Sequence, residues 1–303
     1  MAGSVPMVSP PCHYTKSGPN MTKLALRFAS AAVLAFAPLS VAAAQNAGKE
    51  LALDFRTSTS MEGAPEQGVL TGHIVGSGSK VRIDMSTSGG SSPSPLATDG
   101  AVSMIVSDSG RTITYLDAKN SQYMRFQPGA MLADAQAMGG VTMVFSDTDA
   151  KVESLGAGPK ILGHPTSRYR VTTKLTMSIT GMGQSQSVKI ASTTDYHYPT
   201  DIKSTMNPFA SIAGTDMVGV FGTSNKEFAA KLRAAEGKLP KAPPLRTSTT
   251  ATITTDGVSR VTKSNTEVTS IQWVNADPKV FEIPAGYTAV RVPTLGGTGS
   301  EPR

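Results

Sequence analysis

The nonapeptide TTDYHYPTD, residues 193–201, places Asp195 and Asp201 on either side of His197. Two carboxylates and an imidazole are a donor set for a divalent cation or for acid–base chemistry. If that chemistry is present, the three side chains must converge on one point. His73 and His164 stand in a strand-like run and in a turn, with no H-E-x-x-H pair at helical spacing. Serine is abundant, but no G-x-S-x-G elbow holds one as a nucleophile. VGSGSK, residues 75–80, lacks the spacing of a phosphate-binding loop and reads as a hairpin connection. Met177, Met182, Met206 and Met217 are scattered, the pattern of core gap-fillers and not of a copper cluster. These residues assign no catalytic group, no metal and no cofactor. A metal-dependent enzyme around Asp195, His197 and Asp201 stands as a third reading only.

The chain's address is more explicit. From Met21, Lys23 and Arg27 form a short positive region, residues 28–39 are almost uncharged and apolar, and Ala42, Ala43 and Ala44 supply small residues. That is the pattern of a secretory signal peptide over residues 21–44, cleaved between Ala44 and Gln45. The apolar run is shorter than the roughly 20 residues of a membrane-spanning helix. Residues 1–20, with Pro6, Pro10, Pro11 and Pro19, read as a mis-assigned extension ahead of a true start at Met21; a long n-region is the alternative. Cys12 is the only cysteine and precedes the cut. A mature chain without cysteine has no disulfide, no thiolate catalysis and no cysteine zinc site. The expected product is periplasmic or secreted, with no integral membrane span. The net charge of +6 includes Lys16, Lys23 and Arg27, all upstream of the cut, and aromatics make up only 6% of the chain. No basic run is interleaved with aromatics, which argues against a nucleic-acid partner.

The remaining chain is rich in Ser, Thr, Val and Gly, with frequent turns, and predicts many antiparallel strands. KVRIDM, residues 80–85, alternates Val81, Ile83 and Met85 against Lys80, Arg82 and Asp84. RYRVTTKLTMSI, residues 168–179, repeats the pattern with Tyr169, Val171, Leu175, Met177 and Ile179 on one side. Each is a strand with one wet face. Residues 247–255 and 258–273 flank Asp256-Gly257, a favoured hairpin turn. Further strands are expected at 50–58, 68–75, 102–107, 112–117, 122–126, 142–146 and 187–196. One helix is expected from Ser224 to Gly237, with a capping box at Ser224 and Glu227 and an apolar stripe of Phe228, Leu232 and Ala235. A second is expected around 128–138. Residues 88–100 read as a loop, residues 208–222 are ambiguous, and residues 294–303 read as a disordered tail. Residues 45–293 form a single β-rich domain.

Four stretches read together: K-x-R-x-D at Lys80, Arg82 and Asp84; Y-L-D…K…Y at Tyr115, Leu116, Asp117, Lys119 and Tyr123; a G…Y strand at Gly163 and Tyr169; and F-x-I-P-x-G-Y at Phe281, Ile283, Pro284, Gly286 and Tyr287. In this order, from about residue 80 to residue 287, the chain resembles a family of secreted bacterial proteins whose strands are similar to the lipoprotein carriers and receptors of the LolA/LolB type. The resemblance implies a mainly β (α+β) fold: a curved antiparallel sheet, an unclosed β-barrel, with a few covering helices. The chain differs from those carriers in its length, in residues 208–222 and in its few aromatics.

Long one-sided strands with few helices leave an apolar face to be filled, a natural site for an apolar ligand. The expected lining is Val81, Ile83, Met85, Tyr115, Tyr123, Tyr169, Leu175 and Trp273; solid core is the opposing reading of the same residues. The leading expectation is a non-enzymatic binder of a hydrophobic ligand, such as a lipid, an acyl chain or a lipidated protein. The alternative is an envelope interaction or structural module without a small ligand.

Overall fold

A computed structural model describes residues 49–63, 67–88, 101–127, 130, 141–181, 184–203 and 226–290. All of them fall in one unit that begins at Lys49. The strands are β1 (Glu50–Met61), β2 (Gln67–Ser77), β3 (Lys80–Ser88), β4 (Ala101–Ser107), β5 (Thr112–Asp117), β6 (Gln122–Phe126), β7 (Val141–Ile161), β8 (His164–Gly181), β9 (Gln184–Pro199), β10 (Arg246–Thr255), β11 (Val258–Val274) and β12 (Thr288–Ala289). Helix α1 spans Lys226–Glu236. The strands make one curved, unclosed sheet in the order β12-β6-β5-β4-β3-β2-β1-β11-β10-β9-β8-β7. Every pairing is antiparallel except the parallel contact of β12 with β6.

Because side chains alternate across a strand, the registers sort residues onto two faces. Ile271, Leu53, Ile74 and Ile83 lie opposite one another in adjacent strands, and Met104, Tyr115 and Met124 continue the row. Beside it runs Leu51 with Trp273 on one flank, and beyond Gly76 the run Val81, Val106 and Ile113. These rows form the principal apolar cluster, at whose centre Ile74, Val81 and Ile83 are 0% exposed. Val268, Ile271 and Trp273 break period two, yet all three reach this cluster. A register shift opposite Asp54 and Phe55 absorbs the extra residue. We call this the core face.

Gly72 sits between Phe55 and Met85 in the ladder. A Cβ at Gly72 would stand 2.3 Å from Phe55 Cε1, so the ring lies over the glycine. A second apolar cluster joins Phe145 and Leu175 to Phe228 of α1, with Met177, Ile190 and Leu232 around it. The registers carry this cluster on the same face: Leu175 pairs with Ile190, and Ile190 with Ile253.

The hairpin at Asp256-Gly257 forms as expected, both residues having positive φ (51° and 81°). The strand expected at 142–146 instead runs on to Ile161, despite Gly156, Gly158 and Pro159. Three register shifts against β8 accommodate these turn-forming residues. A Cβ at Gly158 would stand 2.5 Å from Thr166 Oγ1 and 2.9 Å from Arg168 Cγ, so close approach of β8 requires glycine there. Helix α1 closes where expected, the Gly237 N–H donating to the Arg233 carbonyl at 2.9 Å. Ser224 of the capping box, most of the helix expected at 128–138, and residues 89–100, 208–222 and 294–303 lie outside the described residues, as does the signal segment.

Gly72→Ala is expected to destabilise the protein by about 1–3 kcal/mol through overpacking against Phe55. Chemical denaturation measures it, and adding Phe55→Leu should recover part of the loss; an unchanged midpoint in the single variant would refute the contact.

Candidate functional site

The face opposite the core carries the charges. In one row across the sheet lie Arg56, Glu267, Arg246, His197 and Arg168, and in the next Asp195 and Arg170. Arg170 donates to both oxygens of Asp195, Nε to Oδ1 at 2.6 Å and Nη2 to Oδ2 at 2.7 Å. That fork holds the Asp195 carboxyl below its usual range. Asp201 faces His164 Nδ1 at 3.0 Å instead, and Arg246 is paired with Glu267. His197 stands between Arg246 and Arg168, its Nδ1 buried without a hydrogen-bond partner. Burial and the two guanidiniums push its pKa down. Asp195 and Asp201 are thus committed to Arg170 and His164, while His197 stands apart from both pairings. Among the described residues no group of three or more His, Cys, Asp or Glu is placed to hold a metal ion.

The sequence motifs meet on this charged face as a clamp. Arg82 donates to Asp84 through Nε and Nη2 at 2.9 Å, while its Nη1 donates to the Val280 carbonyl at 3.2 Å. Ser103 Oγ donates to the same Asp84 at 2.6 Å. Val280 belongs to a 3₁₀ turn, Pro278–Phe281, capped by the Asp277 side chain, which buries Phe281. The chain then turns at Gly286 (φ 85°), and β12 docks with Thr288 N–H on the Ser121 carbonyl and Val290 N–H on that of Tyr123. Asp117 organises the intervening β5–β6 turn by accepting from the Lys119 and Asn120 backbone N–H groups, both at 3.1 Å. K-x-R-x-D and F-x-I-P-x-G-Y therefore hold the C-terminal segment to the sheet.

The expected pocket residues divide. Val81 and Ile83 are fully buried, and Met85, Tyr115 and Trp273 are partly buried against the same principal cluster. Tyr115 stacks on Phe126, centroids 5.7 Å apart, and burial raises its pKa. Leu175 is in the second cluster. Tyr169 belongs to neither cluster; it stands edge-on to Tyr198 at 5.8 Å, and Tyr198 stacks with Tyr196 at 5.7 Å. Tyr123 does not join them. It pairs with Leu116, and its neighbour Met124 pairs with Tyr115, so the alternation turns Tyr123 to the charged face.

Sequence reasoning missed the surface between the two clusters. There the core face carries hydroxyls: Thr57 bonds Thr266 at 2.8 Å, Thr194 bonds Thr249 at 3.0 Å and Thr173 bonds Ser192 at 2.6 Å. All are part-buried cross-strand neighbours or near neighbours in the ladder. Alternate Thr and Ser in TSTTATITT carried that signal. Among core-face positions paired in β1 and β8–β11, Arg260, opposite Ile253, is the charged exception.

No protein-family model and no curated protein matches this sequence.

Two outcomes follow. Arg82→Met should accelerate hydrogen exchange of the Thr288 and Val290 amides at least tenfold while the Ile74 and Ile83 amides keep their protection; equal protection throughout would refute the clamp. For His197, the folded pKa lies below the unfolded one, so the unfolded state binds more protons on acidification. Stability should fall as pH drops from above the ordinary histidine value toward the depressed one. His197→Gln should flatten that slope in denaturation midpoints between pH 7.5 and about 5; an identical slope would overturn the assignment.

Proposed function

We propose that this chain is an exported, non-enzymatic binder of a hydrophobic ligand, an acyl chain or a lipidated protein, held against the core face of the unclosed sheet in the manner of the LolA/LolB-type carriers. The observation that carries this reading is the segregation of charge. The core face offers apolar side chains at both clusters and uncharged hydroxyls between them. Around the fully buried centre, Met85, Tyr115 and Trp273 retain partial exposure, so apolar surface remains to be covered. Each methylene transferred there contributes about 0.8 kcal/mol, enough for a long chain to bind without any charged contact.

An interaction module would use the open edge strand β7. That edge is interrupted by three register shifts and by Lys231 Nζ donating to the Thr148 carbonyl at 3.1 Å, devices that discourage strand addition. The acid–base reading loses its carboxylates to Arg170 and His164. Among the described residues no helix is long and apolar enough to cross a membrane.

Trp273 is the only tryptophan in the chain and lies on this face. Titration with a brominated fatty acid should quench its fluorescence saturably, and the unbrominated acid should compete. Fluorescence unaffected at acid concentrations up to the critical micelle concentration would overturn the proposal.

A further inference from the structure

The charged face holds a cleft that neither the clamp nor the core-face ligand uses. It measures about 350 Å³ and lies where the C-terminal segment crosses β3–β5. That is the lower end of the range for small-ligand sites. Lys80 and Arg125 both line it, with the hydroxyls of Ser107 and Thr114. The ladder explains the convergence: Arg125 is opposite Thr114, and Thr114 opposite Ile105, on the strand next to β3. Phe281 and Ile283 add apolar surface on the side of the C-terminal segment.

The cleft brings two cations, Lys80 and Arg125, together in one lining. Among the described residues neither Lys80 nor Arg125 forms an ion pair. Arg125 makes only a long hydrogen bond, Nε to Thr114 Oγ1 at 3.4 Å, which leaves its Nη donors for a ligand. Thr114 itself is 3% exposed, so its side chain sits in the floor of the cleft. Lys80 and Arg125 outnumber the single carboxylate of the lining, Glu282, and an oxyanion balances the excess positive charge. Arginine and lysine with hydroxyl donors are the chemistry of phosphate recognition.

We propose that this cleft binds a phosphate ester through Lys80, Arg125, Ser107 and Thr114. Glu282 in the same wall restricts the class. It repels a second anionic group and accepts a hydrogen bond from an ammonium or hydroxyl, so the phosphate carries a short neutral or amine-bearing substituent. Phosphoethanolamine has this chemistry, free or as a lipid headgroup. The site stands independently of the core-face ligand, since it is on the opposite face and shares no residue with it.

Calorimetric titration of the full chain with phosphoethanolamine and with inorganic phosphate tests the site. Sedimentation with vesicles of phosphatidylcholine, with and without phosphatidylethanolamine, separates the two sources. Binding of phosphoethanolamine weakened at least tenfold in Lys80→Met and in Arg125→Met, at unchanged melting temperature, supports the site with a soluble ester. Ethanolamine-dependent sedimentation lost in the same variants supports it with a lipid headgroup. Glu282→Gln should erase any preference for phosphoethanolamine over inorganic phosphate. Neither titration nor sedimentation detecting the wild-type protein, or variants binding as tightly as wild type, would overturn the proposal, and Trp273 quenching would be untouched by that result.

Discussion

Everything in this fold rests on register. The twelve strands of the described residues alternate their side chains with period two in one sheet, and a slip of one residue in any ladder would exchange the faces. In β3 such a slip would put Lys80, Arg82 and Asp84 where Val81, Ile83 and Met85 now lie fully or partly buried in the apolar cluster. Burying unpaired charge there costs several kcal/mol per group, so the pattern of charge specifies the pairing as strongly as the apolar residues do. The bulge opposite Asp54 and Phe55 shows the same constraint: β11 spends an extra residue so that Val268 and Ile271 both keep to the core face.

The two faces then divide the work. The charged face is held together locally, by pairs such as Arg170–Asp195 and by the Arg82–Asp84 unit that ties the C-terminal segment down. Exposed pairs of this kind add little stability, typically under 1 kcal/mol. Arg82 contributes differently, since one side chain joins β3 to a segment nearly two hundred residues later. The core face has two apolar clusters bridged by threonine and serine hydroxyls. Hydroxyls that bond one another across strands tolerate partial burial without introducing charge. Arg260 apart, the paired core-face positions of β1 and β8–β11 carry no charge.

Much of this was legible in the chain. KVRIDM and RYRVTTKLTMSI announced one-sided strands, and Asp256-Gly257 a hairpin, because local alternation and turn chemistry are local properties. The extension of β7 beyond residue 146 was not, and the glycine at 158 has a tertiary reason, the approach of Thr166, Arg168 and His197. Tyr123, expected in the apolar lining, faces the other way, and only the pairing of Met124 with Tyr115 reveals its side of the sheet. Asp195, His197 and Asp201 are neighbours along the chain, but two of them find partners, Arg170 and His164, on the adjoining strand β8. The meeting of Arg82 with Val280 lies beyond any sequence window.

The central claim is that the core face carries an apolar ligand. Mass spectrometry of the purified protein, compared under native conditions and after solvent extraction, addresses it most directly. The account predicts a native mass above that of the polypeptide by one acyl-bearing species per chain, released into the organic phase. A native mass equal to the polypeptide, unchanged after incubation with excess fatty acid, would contradict it.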